Sequence, residues 1–232
     1  MRFVLQTGCL PLLFSIAQAV DKTRNSTLDA EMKTAATQLD RLSLLPEDSS
    51  WLFDFTAQPG YTYSPGSVVN ANAATFPATV GNGMTMAMLN LGPCAMLPPH
   101  FHPRASNYVV AIKGKTDTYM IEENGARLVS ETLTPGKMTI FPAASLHTMQ
   151  NTGCDNATLV SALNSEDTGT HNVANGLLNL PADIVRAAFG GNSMFMNISA
   201  IAQMIPAVGT GSVIGSADCL AACAARTGYT GP

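Results

Sequence analysis

The chain has 232 residues, 12% of them charged, and a formal net charge of -4. That length suits one domain, alone or with a helical appendage. With no basic run or stripe it lacks the footprint of a nucleic-acid binder, and its dispersed Gly and Pro exclude a low-complexity chain.

Residues 1–19 read as a removable secretion signal. Arg2 gives a positive start, residues 3–16 are mostly apolar but short for a bilayer span, and Ala17-Gln18-Ala19 has the small-x-small form of a cleavage site. No later apolar run reaches membrane length, so the mature protein is expected to be secreted and free of the membrane. Residues 20–48 form an N-terminal helical segment. Within it, residues 25–46 are expected to make one helix, capped by Ser26 or Thr27, with Asp29 and Glu31 in the first turn and Pro46 at the end. Leu28, Met32, Ala35, Leu39 and Leu42 recur at helical spacing, a stripe to be packed on the body or on a second subunit.

From 49 to 168 the texture becomes β. Short runs such as WLFDF, SVVNA, TFPATV, MTMAML, NYVVAIKG, TYMIE, ARLVSETL, KMTIFP and ATLVSAL alternate with Gly, Pro and Asn breaks. Many short strands with frequent turns indicate a sandwich or barrel. Asn124-Gly125 is a two-residue hairpin signal. Met84, Met86 and Met88 alternate along one strand and share a face. Turned inward with Met96, Met120, Met138, Met149, Phe101 and Phe141, they would line an adaptable apolar pocket. Residues 169–232 are read as a helical extension, with helices in LPADIVRAAFGG, NSMFMNISAIAQMIP and SADCLAACAARTG and a loop at AVGTGSVIG.

Cys9 leaves with the signal. Cys94, Cys154, Cys219 and Cys223 remain, an even number suited to disulfides in an oxidising compartment. Three pairings exist. Cys94–Cys154 with Cys219–Cys223 is favoured, the first closing a loop of about 60 residues worth about 4 kcal/mol. Asn25, Asn156 and Asn197 each begin an Asn-x-Ser/Thr glycosylation sequon.

Three of the four histidines are candidates for one metal site. His100 and His102, at i and i+2 on a strand, point to one face. His147 follows the strand-like KMTIF and supplies a third imidazole. His171 lies in a polar stretch and is read as a plain surface residue.

Two separated stretches carry a family resemblance. Gly92, His100, His102, Asn107 and Gly114 follow the order of the first cupin motif, a glycine, His-x-His, a glutamate and a second glycine. Gly136, Pro142, Ala144, His147 and Asn151 follow the second, with Ala144 where glycine is usual. The chain resembles the cupins, in particular the germins and the spherulin-like secreted proteins of slime moulds and fungi. The resemblance implies a mainly β fold, a single-domain cupin jelly-roll barrel with an N-terminal helix and a C-terminal helical extension. It implies His100, His102 and His147 as ligands of one divalent metal, with Zn, Cu or Mn as candidates and a metal-free site as the alternative.

Asn107 stands where the family has glutamate. An amide brings neither a negative charge nor a base, so the germin type of oxalate oxidation is not expected. Three imidazoles and a neutral oxygen suit Zn2+ or Cu2+ better than Mn2+. The nearest carboxylates in sequence are Asp117 and Glu122. The expectation is an enzyme for a small organic substrate, with Arg104 beside the ligands either pairing a substrate anion or serving the surface. One alternative is a non-redox cyclase or isomerase, for example of hetero-Diels–Alder type, in which Asn107, the imidazoles and Tyr108 polarise the substrate. Another is a storage or cell-wall protein without turnover. Apolar helices at both ends suggest a homodimer or a larger homo-oligomer.

Overall fold

Alternation of side chains sets the strands and aims them. In Ala157–Leu163, Ala157, Leu159, Ser161 and Leu163 are buried while the residues between them are half-buried. The computed structural model describes residues 21–190, 197–229 and 231, and the expected signal at 1–19 lies outside them. The strands are β1 (Gly66–Ala71), β2 (Thr85–Leu91), β3 (Ala95–Phe101), β4 (Asn107–Lys113), β5 (Thr116–Ile121), β6 (Val129–Leu133), β7 (Met138–Phe141), β8 (Leu146–Asn151), β9 (Ala157–Leu163), β10 (His171–Asn172) and β11 (Val213–Ile214). They form two antiparallel sheets, β1-β2-β9-β4-β7 and β10-β3-β8-β5-β6, with β11 also on β3. The chain crosses between sheets at β2–β3, β3–β4, β4–β5, β6–β7, β7–β8, β8–β9 and β9–β10, which is the jelly-roll path. The core closes between Leu91, Val109, Phe141 and Leu159 of the first sheet and Leu97, Leu133 and Met149 of the second.

Strand β3 contains Pro98 and Pro99, which have no N–H to give a ladder. The pairing skips them. The register with β8 shifts between Leu97 and His100, while β11 takes only Ala95 and Met96 and β10 only His100 and Phe101. Both β10 and β11 come from beyond residue 168, so the C-terminal part contributes strands as well as helices.

The N-terminal helix is two helices, α1 (Ser26–Thr34) and α2 (Gln38–Leu44). Thr37 and Asp40 form a capping box that starts α2 afresh, and Asn25, rather than Ser26 or Thr27, caps α1. Met32 and Leu45 pack on Ala73, Ala78 and Val80 of the body, whereas Leu39 and Leu42 are exposed. Two expected strands are absent. Trp51 ends a 3-10 turn, Asp48–Trp51, and Pro77 opens another, Pro77–Thr79. The Asn124-Gly125 hairpin is also a longer connection, spanning 122–128, with Gly125 at φ 91.

The helices α3 (Val173–Leu178), α4 (Ala182–Ala188), α5 (Ile198–Met204) and α6 (Ala217–Thr227) follow. The sequence pattern did not show α3. Ser216 caps α6 and Gly228 ends it in a left-handed turn. The disulfides are Cys94–Cys219 and Cys154–Cys223, which corrects the favoured pairing. Cys219 and Cys223 stand one turn apart on a single face of α6. That face lies over the β2–β3 and β8–β9 connections, where Cys94 and Cys154 sit, so each helix cysteine meets one of them. Their Cα atoms are 5.7 and 5.4 Å apart. Among the described residues, no helix is long and apolar enough to cross a membrane.

Candidate metal centre and its cavity

His100 and His147 face each other across the β3–β8 ladder, their ring centroids 4.3 Å apart. His102, just past β3, lies 5.2 Å from His100 and 5.3 Å from His147. All three are buried. Phe141 stacks on His147 at 4.2 Å and 9°, fixing the ring plane.

A carbonyl oxygen holds the Nδ1 of each ring. His100 donates to Pro98 O at 2.7 Å, His102 to Gly169 O at 2.7 Å and His147 to Ser145 O at 2.8 Å. A carbonyl can only accept, so each Nδ1 carries the proton and each Nε2 presents a lone pair. One ligand atom from each histidine lies within 4.8 Å of the others, and His147 Nε2 has no hydrogen-bond partner among the described residues. Burial lowers all three pKa values. His100 is pushed well below the usual range by desolvation, then by the other two imidazoles; His102 is lowered by desolvation; His147 falls to about 4, again chiefly by desolvation. The rings are therefore neutral at neutral pH, the form that ligates a metal.

Asn107 opens β4 beside them, its amide nitrogen 3.5 Å from His102 Nε2 and its amide oxygen buried without a partner among the described residues. Turning the amide over would set its oxygen lone pairs against that of His102, an arrangement that a cation between them stabilises. Three convergent lone pairs and an orphaned oxygen fit a divalent ion. The carboxylates considered as substitutes do not come here. Asp117 accepts from Thr132 at 2.7 Å, and Glu122 is exposed on the β5–β6 connection.

A cavity of about 550 Å3 opens from His100, His102 and Asn107 toward the N-terminal segment. Its walls differ from those expected. On β2 Thr85, Ala87, Leu89 and Leu91 form the buried row and Asn90 is buried at the end of the other, on which the methionine stripe points outward, with Met84 and Met86 46% and 50% exposed and Met88 half-buried. A period of two says which residues share a face, not which face is inside. Tyr108 and Met138 are on the same outer surface. Met149 is in the core, Met120 packs against it, and Met96 is half-buried beside β11. Phe101 stacks on His171 at 5.0 Å instead of entering the cavity. None of the eight expected substrate-contacting residues lines it.

The residues that do line it include Asp21, Asn70, Asn72 and Ser161, none of which the motifs marked. Inward alternation on β9 could have marked Ser161; Asp21 reaches the site only by tertiary folding. Arg104 is at the rim, its Nη2 2.7 Å from Asp167 Oδ1 and its Nε donating to Asp167 O at 2.7 Å, so its charge is already matched. His171 is exposed, as expected, yet is also a packing residue. Its ring fills the place a Cβ on Gly176 would need.

The Cupin sequence pattern matches residues 55–194. Spherulin-1A of Physarum polycephalum is 33% identical over 205 residues, covering 88% of this chain and 80% of its own length. Germin-like protein 1-1 of Oryza sativa subsp. japonica is 32% identical over 137 residues, covering 56% of this chain and 63% of its own. Among solved structures, an oxalate oxidase superposes with a TM-score of 0.60 at 22% identity, over 67% of this chain and 81% of that one, a likeness of fold. Two sheets joined along a jelly-roll path, three histidines from both cupin motifs on their inner faces, and these relatives together show that the chain belongs to the cupin family, as a monocupin of the germin and spherulin type.

Proposed function

We propose that the protein is a secreted metal-dependent cupin enzyme acting on a small organic molecule, with His100, His102 and His147 as ligands and Asn107 as a weak fourth. The observation that carries this reading is the set of Nδ1–carbonyl hydrogen bonds, which leave each neutral ring an Nε2 lone pair, in three rings that each place a nitrogen within 4.8 Å of the others. The chemistry of the donors favours Zn2+ or Cu2+. Such an ion, when bound, supplies Lewis-acid polarisation of a substrate oxygen. The chain does the rest. Leu89, Leu97 and Leu163 exclude water from the inner cavity, and the buried carbonyls hold the imidazoles in one tautomer. Asn107 has no carboxylate to take a proton, and Arg104 is already paired, so oxidation of a small dicarboxylate suits this site poorly. Of the polarising groups in the cyclase alternative, Asn107 and the imidazoles are at the site, while Tyr108 faces outward. The secretion signal at 1–19 and glycans at the three sequons belong to the same proposal. The side-chain oxygens of Asn25 and Asn197 cap α1 and α5, while Asn156 is half-buried.

Metal analysis of untagged protein tests the centre. Near one divalent ion per chain is expected, falling at least about tenfold in His100→Ala. Restoring the carboxylate with Asn107→Glu should shift preference toward Mn2+ in competition with Zn2+. Wild-type protein that takes up no divalent ion on titration would refute the reading.

A further inference from the structure

The cavity wall away from the imidazoles carries polar groups that the metal centre does not use. β9 turns Ala157, Leu159, Ser161 and Leu163 inward, and Ser161 is the only hydroxyl in that row. It is 1% exposed, lines the cavity, and its Oγ has no hydrogen-bond partner among the described residues. A hydroxyl buried beside Ala87 and Leu163 without a partner is destabilising unless something entering the cavity meets it.

Farther out, Asp21 Oδ2 accepts from Asn70 Nδ2 at 2.8 Å and Asn72 Nδ2 at 2.6 Å. Its other oxygen takes no hydrogen bond among the described residues. Two neutral amides hold this carboxylate in place without neutralising it. Burial raises the Asp21 pKa, the two amides lower it, and the Arg24 charge offsets the carboxylate only in part, since Arg24 also donates to Gln58. Arg104 is matched by Asp167. The carboxylates lining the cavity are Asp21, Asp29, Glu166 and Asp167, against Lys33 and Arg104.

Register gives the spacing. Asn70 pairs with Ala87, Ala87 with Ser161, and Ser161 with Val109, two residues along β4 from Asn107. At about 4.8 Å per strand and about 3.4 Å per residue, Ser161 is about 8 Å from Asn107, and Asn70 at most about 16 Å from it. A ligand of oxalate size cannot reach from the imidazoles to Asp21, whereas the cavity volume is in the range that takes drug-sized molecules.

Building on the proposed metal centre, we infer that the cavity selects an elongated ligand: a metal-binding head, a body with a hydroxyl facing Ser161, and an outer end that carries an amine or other hydrogen-bond donor for Asp21. A carboxylate at that end is disfavoured.

Calorimetry on the zinc-loaded mature protein, residues 20–232, tests this with hydroxamates, which bring their own metal-binding head. The probes are acetohydroxamate, octanohydroxamate, and octanohydroxamates bearing an ω-amine, an ω-carboxylate or a mid-chain hydroxyl. In wild type the ω-amine form should bind at least about fivefold tighter than the ω-carboxylate form, and Asp21→Asn should bring the two within about twofold. The mid-chain hydroxyl should improve affinity about tenfold, and Ser161→Ala should remove the gain. Equal affinity of the amine and carboxylate forms, or a preference that survives Asp21→Asn, overturns the assignment of the outer end. A hydroxyl gain that is absent, or unaffected by Ser161→Ala, overturns that of the body. If acetohydroxamate fails to bind the zinc-loaded wild type, the metal-centre reading falls, and this inference with it.

Discussion

An amide at position 107 leaves three neutral imidazoles without an anionic partner, and that one substitution separates this centre from a site with a carboxylate base. The imidazoles were legible in the sequence because His-x-His on a strand and a histidine in the second motif need only spacing to be recognised. Their tautomers were not legible, since Pro98, Gly169 and Ser145 offer carbonyls only once the chain is folded. Gly169 stands at φ 64 against Arg104 and Pro103, where a side chain would be strained and crowded. Ala144 shows the opposite case. It has φ 64 where the family has glycine, and its N–H donates to His102 O at 2.9 Å. A left-handed alanine costs about 1–2 kcal/mol, partly offset by the greater chain entropy that glycine loses on folding. Ala144→Gly should therefore raise stability by about 1 kcal/mol, or about 3 °C in thermal unfolding. No rise in Tm would show that the turn is not strained.

At the scale of elements, α6 acts as a clamp. It closes sequence separations of 125 and 69 residues onto the ends of two β connections, each worth about 4–5 kcal/mol by loop-closure entropy. Cys219→Ser should lower the urea midpoint and leave a free thiol that alkylation maps to Cys94. Label on Cys223 instead would restore the pairing favoured from sequence. That pairing was wrong because linear spacing treats Cys219 and Cys223 as neighbours of each other. On a helix they are neighbours of whatever the face covers. The methionine stripe of β2 failed for a related reason. Alternation grouped Met84, Met86 and Met88 correctly, but Ala87 and Leu89 make the inner row that fits between the sheets.

At the scale of the whole molecule, those outward side chains form a surface. Met86, Tyr108, Ile112, Met138 and Ile140 are each 42–54% exposed on the outer side of the five-stranded sheet, with Tyr108 directly opposite Ile140. An exposed apolar sheet face of this kind is a candidate association surface, so the homodimer or larger homo-oligomer expected from the sequence is predicted to form through the sheet instead of the terminal helices. Light scattering should find a wild-type dimer or larger species, and Tyr108→Glu with Ile140→Glu should yield monomer. An unchanged mass in the double variant would exclude this face. Composition and spacing by themselves determined the β barrel, the helical ends and the three imidazoles, because periodicity and motif order are local properties of the chain. Only the tertiary structure decided which face of each strand is inside, which cysteines meet, and that Asp21 and Ser161 share a cavity with residues far away in sequence. Those are matters of which surfaces the packed sheets bring together, and no local pattern encodes them.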